Sequence, residues 1–414
     1  MSSTISLYGA YDRLNYGDIL FPLVINFYLK QRGFAGDLRF YAPTRSDLRT
    51  YGGVQTRSAR DLRLDARTLA DAGRPGVLIV AGGEVLSATW GGFIASLLPN
   101  DFLGRVERVA RRLIGDKPFA HLYARLFDFP SLLPFVISDD DFPSQKVAYN
   151  AVGGSHLSKV DTFVRNESFR RLAKVSYLSV RDNKTKSILQ RHLDREVFLS
   201  PDCAMIISDM YPLSELESHV SGAVKLALDH HRPYVCFQSA AEAAAGHEDI
   251  IESQISAVSK TFGIRCIFFD IGKAAAHSDQ VLVERLSTRK RLGEYAQYVT
   301  CENIFDVMAI IGNASVYCGT SLHGAITAIS YDKPVVGLCP SQVLKLAEFL
   351  KTWGRSSSYR LAEYENLAQA LCELLGQQLA AQPGAMEIER LKGLVYDNFD
   401  RMFQALELPE QSLK

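Results

Sequence analysis

Two rhythms of apolar and polar positions run along the chain. Short, nearly continuous apolar runs predict strands over residues 3–8, 76–81, 146–152, 177–180, 233–238, 265–269, 316–318 and 335–338. Between them, apolar residues recur at three- and four-residue spacing, predicting helices over 18–32, 162–173, 183–193, 250–261 and 214–229. Strands that alternate with helices imply parallel sheets with crossover connections. The expected fold is therefore α/β, with two open α/β domains facing a cleft. The boundaries are an N-terminal domain over 1–205, a C-terminal domain over 206–384, and a helix and tail over 385–414. In that tail Leu391, Leu394, Val395, Phe399, Met402 and Phe403 form one apolar face, and the helix is expected to cross back onto the first domain.

Composition narrows the function classes. Hydrophobic residues make up 47% of 414, enough for sizeable cores, and Lys+Arg and Asp+Glu both number 46. Zero net charge argues against a dedicated nucleic-acid binder, which carries a basic excess. Seven cysteines stand singly with no C-x-x-C pair, so neither zinc nor any other metal is expected, and free thiols suit a reducing cytoplasm. The N-terminus has no signal-peptide pattern, and no run reaches the ~18 apolar residues of a membrane span. Residues 105–117 combine Arg105, Arg108, Arg111, Arg112 and Lys117 with apolar positions at helical spacing. Two readings apply there: a solvated helix face against the core, or a peripheral contact with an anionic membrane surface.

Candidate chemistry sits where strands end. Residues 316–338 run from an apolar strand through Gly319-Thr320-Ser321 into a small-residue helix that opens on Leu322-His323-Gly324. Helix N-termini present unpaired N–H groups and partial positive charge, a ready site for an anion, with His323 placed to move a proton. Four more strand ends carry polar or glycine clusters: Asn15-Tyr16-Gly17-Asp18, Gly82-Gly83-Glu84, Val180-Arg181-Asp182 and Ser200-Pro201-Asp202. Taken singly, each also reads as a cap, a tight turn or a bracing ion pair.

In this order the five segments resemble the polysaccharide pyruvyl transferase family, over residues 8 to about 340. The resemblance implies two Rossmann-like domains facing a cleft, the two-lobed glycosyltransferase-B-like architecture. It also implies transfer of a pyruvyl group from phosphoenolpyruvate onto a sugar of a cell-surface polysaccharide or its precursor, usually as a cyclic ketal. Phosphoenolpyruvate would be a co-substrate and no cofactor is expected. The acceptor would be a sugar, a glycan or a lipid-linked saccharide. The donor-binding Arg corresponds to Arg181 and the catalytic His to His323, with Asp18 and Asp182 as further acid–base candidates. Asn15, Gly17, Gly82, Gly83, Glu84, Asp202, Thr320, Ser321, Gly324 and Lys345 would line the substrates. Two positions depart from the family pattern: Ser321 replaces a common Arg and Val343 a common Lys, with Lys345 two residues later as a substitute. A nucleotide-sugar glycosyltransferase and a non-catalytic saccharide binder are the alternatives.

Overall fold

Eight strands form the first sheet: β1 (Thr4–Tyr8), β2 (Asp37–Ala42), β3 (Ser46–Asp47), β4 (Gln55–Ser58), β5 (Gly76–Ala81), β6 (Gln145–Val152), β7 (Tyr177–Val180) and β8 (Phe198–Leu199). Their spatial order is β3-β4-β2-β1-β5-β6-β7-β8, parallel except for β3 against β4. The second sheet holds β9 (Tyr234–Gln238), β10 (Arg265–Phe269), β11 (Ala296–Val299), β12 (Val316–Gly319), β13 (Val335–Leu338) and β14 (Tyr359–Ala362). Its order is β11-β10-β9-β12-β13-β14, all parallel. Every residue of β1, β5, β9, β12 and β13 is buried, which is why these strands read as unbroken apolar runs: helices cover both faces of a parallel sheet. The computed structural model describes residues 4–97, 109, 111, 113–142, 144–228, 232–272, 279–289, 291–340, 344–378 and 385–407. Six of the thirteen residues of the basic segment 105–117, including Arg105, Arg108 and Arg112, lie outside them, as does Val343.

The junction between the halves is core. Cys203, Ala204, Met205, Ile206 and Ile207 are all at most 1% exposed. They join one apolar cluster that contains Leu7 and Ile25 of the first half, Ile267 and Ile326 of the second, and Phe399 and Met402 of the last helix. That helix, Ala385–Ala405, packs on β6, β7 and the 203–206 turn. Asn398 donates to Asn150 and accepts from Tyr177, while Tyr28 of the first helix stacks on Phe403. The single helix expected over 214–229 is instead two short pieces, Leu213–Leu216 and Gly222–Leu228. Between them the Ser221 N–H turns to Asp306 Oδ1 (2.7 Å) rather than continuing a helical ladder.

Candidate functional site

The carboxyl ends of β1, β5, β6, β7, β12 and β13 carry the candidate residues, and ligands of open α/β sheets bind beyond such ends. From the first lobe comes the helix Tyr16–Gln31, capped by Asn15, whose Oδ1 accepts from the Gly17 and Asp18 N–H groups. From the second comes the helix Leu322–Ser330, capped by Ser321, whose Oγ accepts from Gly324 N. The two openings touch. A Cβ on Gly17 would fall inside the His323 ring, so only glycine permits this approach. Phe21 packs edge-on to the imidazole, with ring centroids 5.3 Å apart. Tyr16 and Thr327 share a hydroxyl bond of 2.8 Å one turn further along.

His323 and Arg181 come together across the lobes, but around one of the protein's own carboxylates. Arg181 is 2% exposed; its Nη1 donates to Asp202 Oδ2 (2.9 Å) and its Nη2 to Glu84 Oε2 (3.1 Å). His323 Nε2 lies 3.7 Å from the same Asp202 oxygen, too far for a direct hydrogen bond, and has no bonding partner in its buried position. Burial pushes the Asp202 carboxyl up, yet His323, Arg181 and the Ala204 N–H outweigh it and hold the pKa below the usual range. Glu84 behaves alike. Burial opposes its ionisation, while the bond to His156, the Arg181 charge and the Ser155 hydroxyl bring its pKa down to about 2.

The geometry gives several of the expected site residues partners within the protein. Arg181 was expected to grip the donor; two of its nitrogens are bound to carboxylates of the protein, the buried Asp202 and the half-buried Glu84. Asp182 was a candidate acid or base. It caps the helix Asn183–Gln190, accepting from Thr185 N (2.7 Å) and Thr185 Oγ1 (2.8 Å) on its two oxygens. Asp202 is fully buried and touches no open space. Gly82 is packed against the Phe21 ring and Gly324 against the Tyr317 hydroxyl, each by closeness that a Cβ would forbid. Gly83 has φ +85° and accepts from Gly153 N (2.7 Å), bracing the neighbouring strand end. Thr320 Oγ1 accepts from Ala240 N (3.1 Å).

What stays available is a smaller set. Asp18 is half-buried and its carboxylate makes no hydrogen bond or ion pair among the described residues. Burial raises its pKa, with Arg13, His323, Lys345 and Arg181 acting in the opposite direction. Lys345 is exposed and unpaired among the described residues. The cleft walls around it and the Arg181 charge lower its pKa, opposed by Glu84 and Asp18, which sets the ammonium in the field of all three. It rides on the helix Leu344–Trp353, whose far end is tied to the first lobe: Trp353 Nε1 donates to the Arg181 carbonyl (2.7 Å). The Leu322 and His323 N–H groups have no protein acceptor among the described residues.

Sequence reasoning missed Gly153, Ser155 and His156. Ser155 Oγ donates to Glu84 Oε1 (2.9 Å), and His156 Nδ1 lies 3.5 Å from the same oxygen. A Cβ on Gly153 would collide with the Glu84 carboxylate. The signal was present: Val152-Gly153-Gly154-Ser155-His156 ends a strand as Gly82-Gly83-Glu84 does. A bulge on β6, with Ala151 at φ +47°, aims this second glycine pair beneath the first.

The architecture is a two-domain α/β fold with parallel sheets, of the glycosyltransferase-B kind. Its likeness extends end to end to the UDP-GlcNAc 2-epimerase of Methanocaldococcus jannaschii (TM-score 0.57, 13% identity, 98% of this chain and 99% of that one). The UDP-GlcNAc 2-epimerase of Neisseria meningitidis bound to UDP-GlcNAc is similar too (TM-score 0.54, 10% identity, 98% and 99%). At these identities the likeness concerns the fold alone. No curated protein matches the sequence. The polysaccharide pyruvyl transferase family model matches residues 15–339, and the chain belongs to that family. The matched span includes Asn15, the Arg181 and His323 segments, and both glycine pairs.

Proposed function

We propose that the protein transfers a pyruvyl group from phosphoenolpyruvate onto a sugar of a cell-surface polysaccharide or its precursor, forming a ketal on two hydroxyls. The observation that carries this reading is the set of groups left without a bonding partner among the described residues: Asp18 from the first lobe, His323 Nε2 and Lys345 from the second, and two free helix N–H groups. Phosphoenolpyruvate carries a carboxylate and a phosphate. Lys345 supplies the mobile cation for one, in place of the family Lys at Val343, and the helix opening at His323 receives the other.

The chemistry needs a proton delivered to the methylene carbon, a proton taken from each attacking hydroxyl, and phosphate as leaving group. His323 delivers the proton or steadies the departing phosphate. Asp18, made more basic by burial, takes the hydroxyl proton. Arg181 and Asp202 hold His323 from below. The acceptor is a sugar, a glycan or a lipid-linked saccharide.

The test is incubation with phosphoenolpyruvate and a panel of glycan precursors, read by mass for an added pyruvyl group and by released phosphate. A thermal-shift series runs beside it, since a ligand of the native state raises apparent stability. Stabilisation by phosphoenolpyruvate and not by uridine or guanosine diphosphate supports the proposal. The reverse pattern assigns the cleft to a nucleotide sugar. A shift with saccharide alone and no turnover leaves a binding protein.

A further inference from the structure

The helix Asp116–Leu126 turns Ala120 and Ala124 inward, where they are buried. Its outer face carries two adjacent rows, each repeating every four residues. One row is Lys117, His121 and Arg125; the other is Pro118, Leu122 and Leu126, and all six are exposed. Leu122 is 59% and Leu126 71% exposed, and Leu113 (81%) and Ile114 (62%) stand bare just before the helix. Large aliphatic side chains gathered in water mark a contact surface. The charge pattern says what kind. The helix has one acidic residue, Asp116, and it is taken by Arg111 (2.9 Å). Lys117 and Arg125 have no carboxylate partner among the described residues. Residues 105–126 hold six basic and two acidic side chains in a chain whose net charge is zero.

An apolar row beside a cationic row, with no acid on the exposed face, suits the surface of an anionic bilayer. There the leucines enter the acyl boundary and the basic tips meet lipid phosphates. Eleven residues span about 16 Å, long enough to lie in the interface and too short to cross. We infer that the exposed face of Asp116–Leu126 docks the protein onto an anionic phospholipid membrane. The inference rests on this face alone and stands or falls independently of the donor.

Vesicle co-sedimentation tests it with the full chain. Vesicles of mixed phosphatidylglycerol and phosphatidylcholine should carry the protein down, and pure phosphatidylcholine at least about tenfold less. The pair Leu122→Gln/Leu126→Gln should weaken partition about tenfold, and Lys117→Glu/Arg125→Glu about thirtyfold, with melting curves unchanged. Failure to sediment with anionic vesicles overturns the proposal. So does retention of full binding by both double variants. If Leu122→Gln/Leu126→Gln instead dissociates a dimer in sedimentation velocity, the face belongs to a second copy of the chain and the membrane assignment is wrong.

Discussion

Arg181 and Lys345 carry the same charge toward one cleft, and the fold treats them in opposite ways. Arg181 follows β7, is almost fully buried, and is held by Asp202 and Glu84. Lys345 begins a helix of the other lobe, is exposed, and pairs with nothing among the described residues. A buried guanidinium that has already met two carboxylates brings little attraction to a ligand, because its field is cancelled locally. An ammonium whose pKa is lowered by its surroundings is under strain to find an anion. The lesson is that the cation most conspicuous in a motif can be used up in building the structure, while an inconspicuous one stays unpaired among the described residues.

The comparison breaks first on stability. Arg181→Met strands the buried Asp202 carboxylate and takes a cation from half-buried Glu84, and should cost about 3–5 kcal/mol in urea unfolding, against about 0.5 kcal/mol or less for Lys345→Met. Equal midpoints for the two variants would dissolve the distinction. The pH profile sharpens it. The folded pKa of Glu84, about 2, is below its ordinary 4.5. Its contribution is therefore complete above about pH 4.5 and is lost as pH falls toward 2. The stability gap between wild type and Glu84→Gln should be widest at neutral pH and close across that window.

Catalysis comes next in size. His323→Asn should lower kcat about a hundredfold, about 2.7 kcal/mol of transition-state stabilisation, with little change in unfolding. Gly17→Ala should approach the same loss without touching any ionisable group, because its methyl displaces the imidazole. Full turnover in either variant would remove His323 from the reaction. The smallest effect falls on Lys345→Met: about a tenfold rise in donor KM with kcat nearly kept. The same KM should rise in wild type at alkaline pH, since the ammonium discharges earlier than an ordinary Lys.

Central strands were legible because burial on both faces leaves only apolar residues; all eight expected strands are present. Strands β2, β3, β4, β8, β11 and β14 were not among those eight. In β2 the run Asp37-Leu38-Arg39-Phe40 is exposed or half-buried, and in β14 only Ala362 is buried, so neither shows an apolar run. The site was legible as a list of strand ends and not as a division of labour. Asp182 and Asp18 look alike in sequence, each beside a helix start. Only the fold shows Thr185 occupying both oxygens of one and nothing bonded to the other. His156 was invisible because its meaning depends on Glu84, 72 residues away.

The aliphatic run Cys203–Ile207, sealed between both sheets and the returning helix, makes the connection a weld. Wide jaw-like opening would drag these oily side chains into water, so burial of the connection opposes it. It also means that exchanging one half for that of a relative, to alter which glycan is modified, requires carrying Cys203–Ile207 and the last helix along with it.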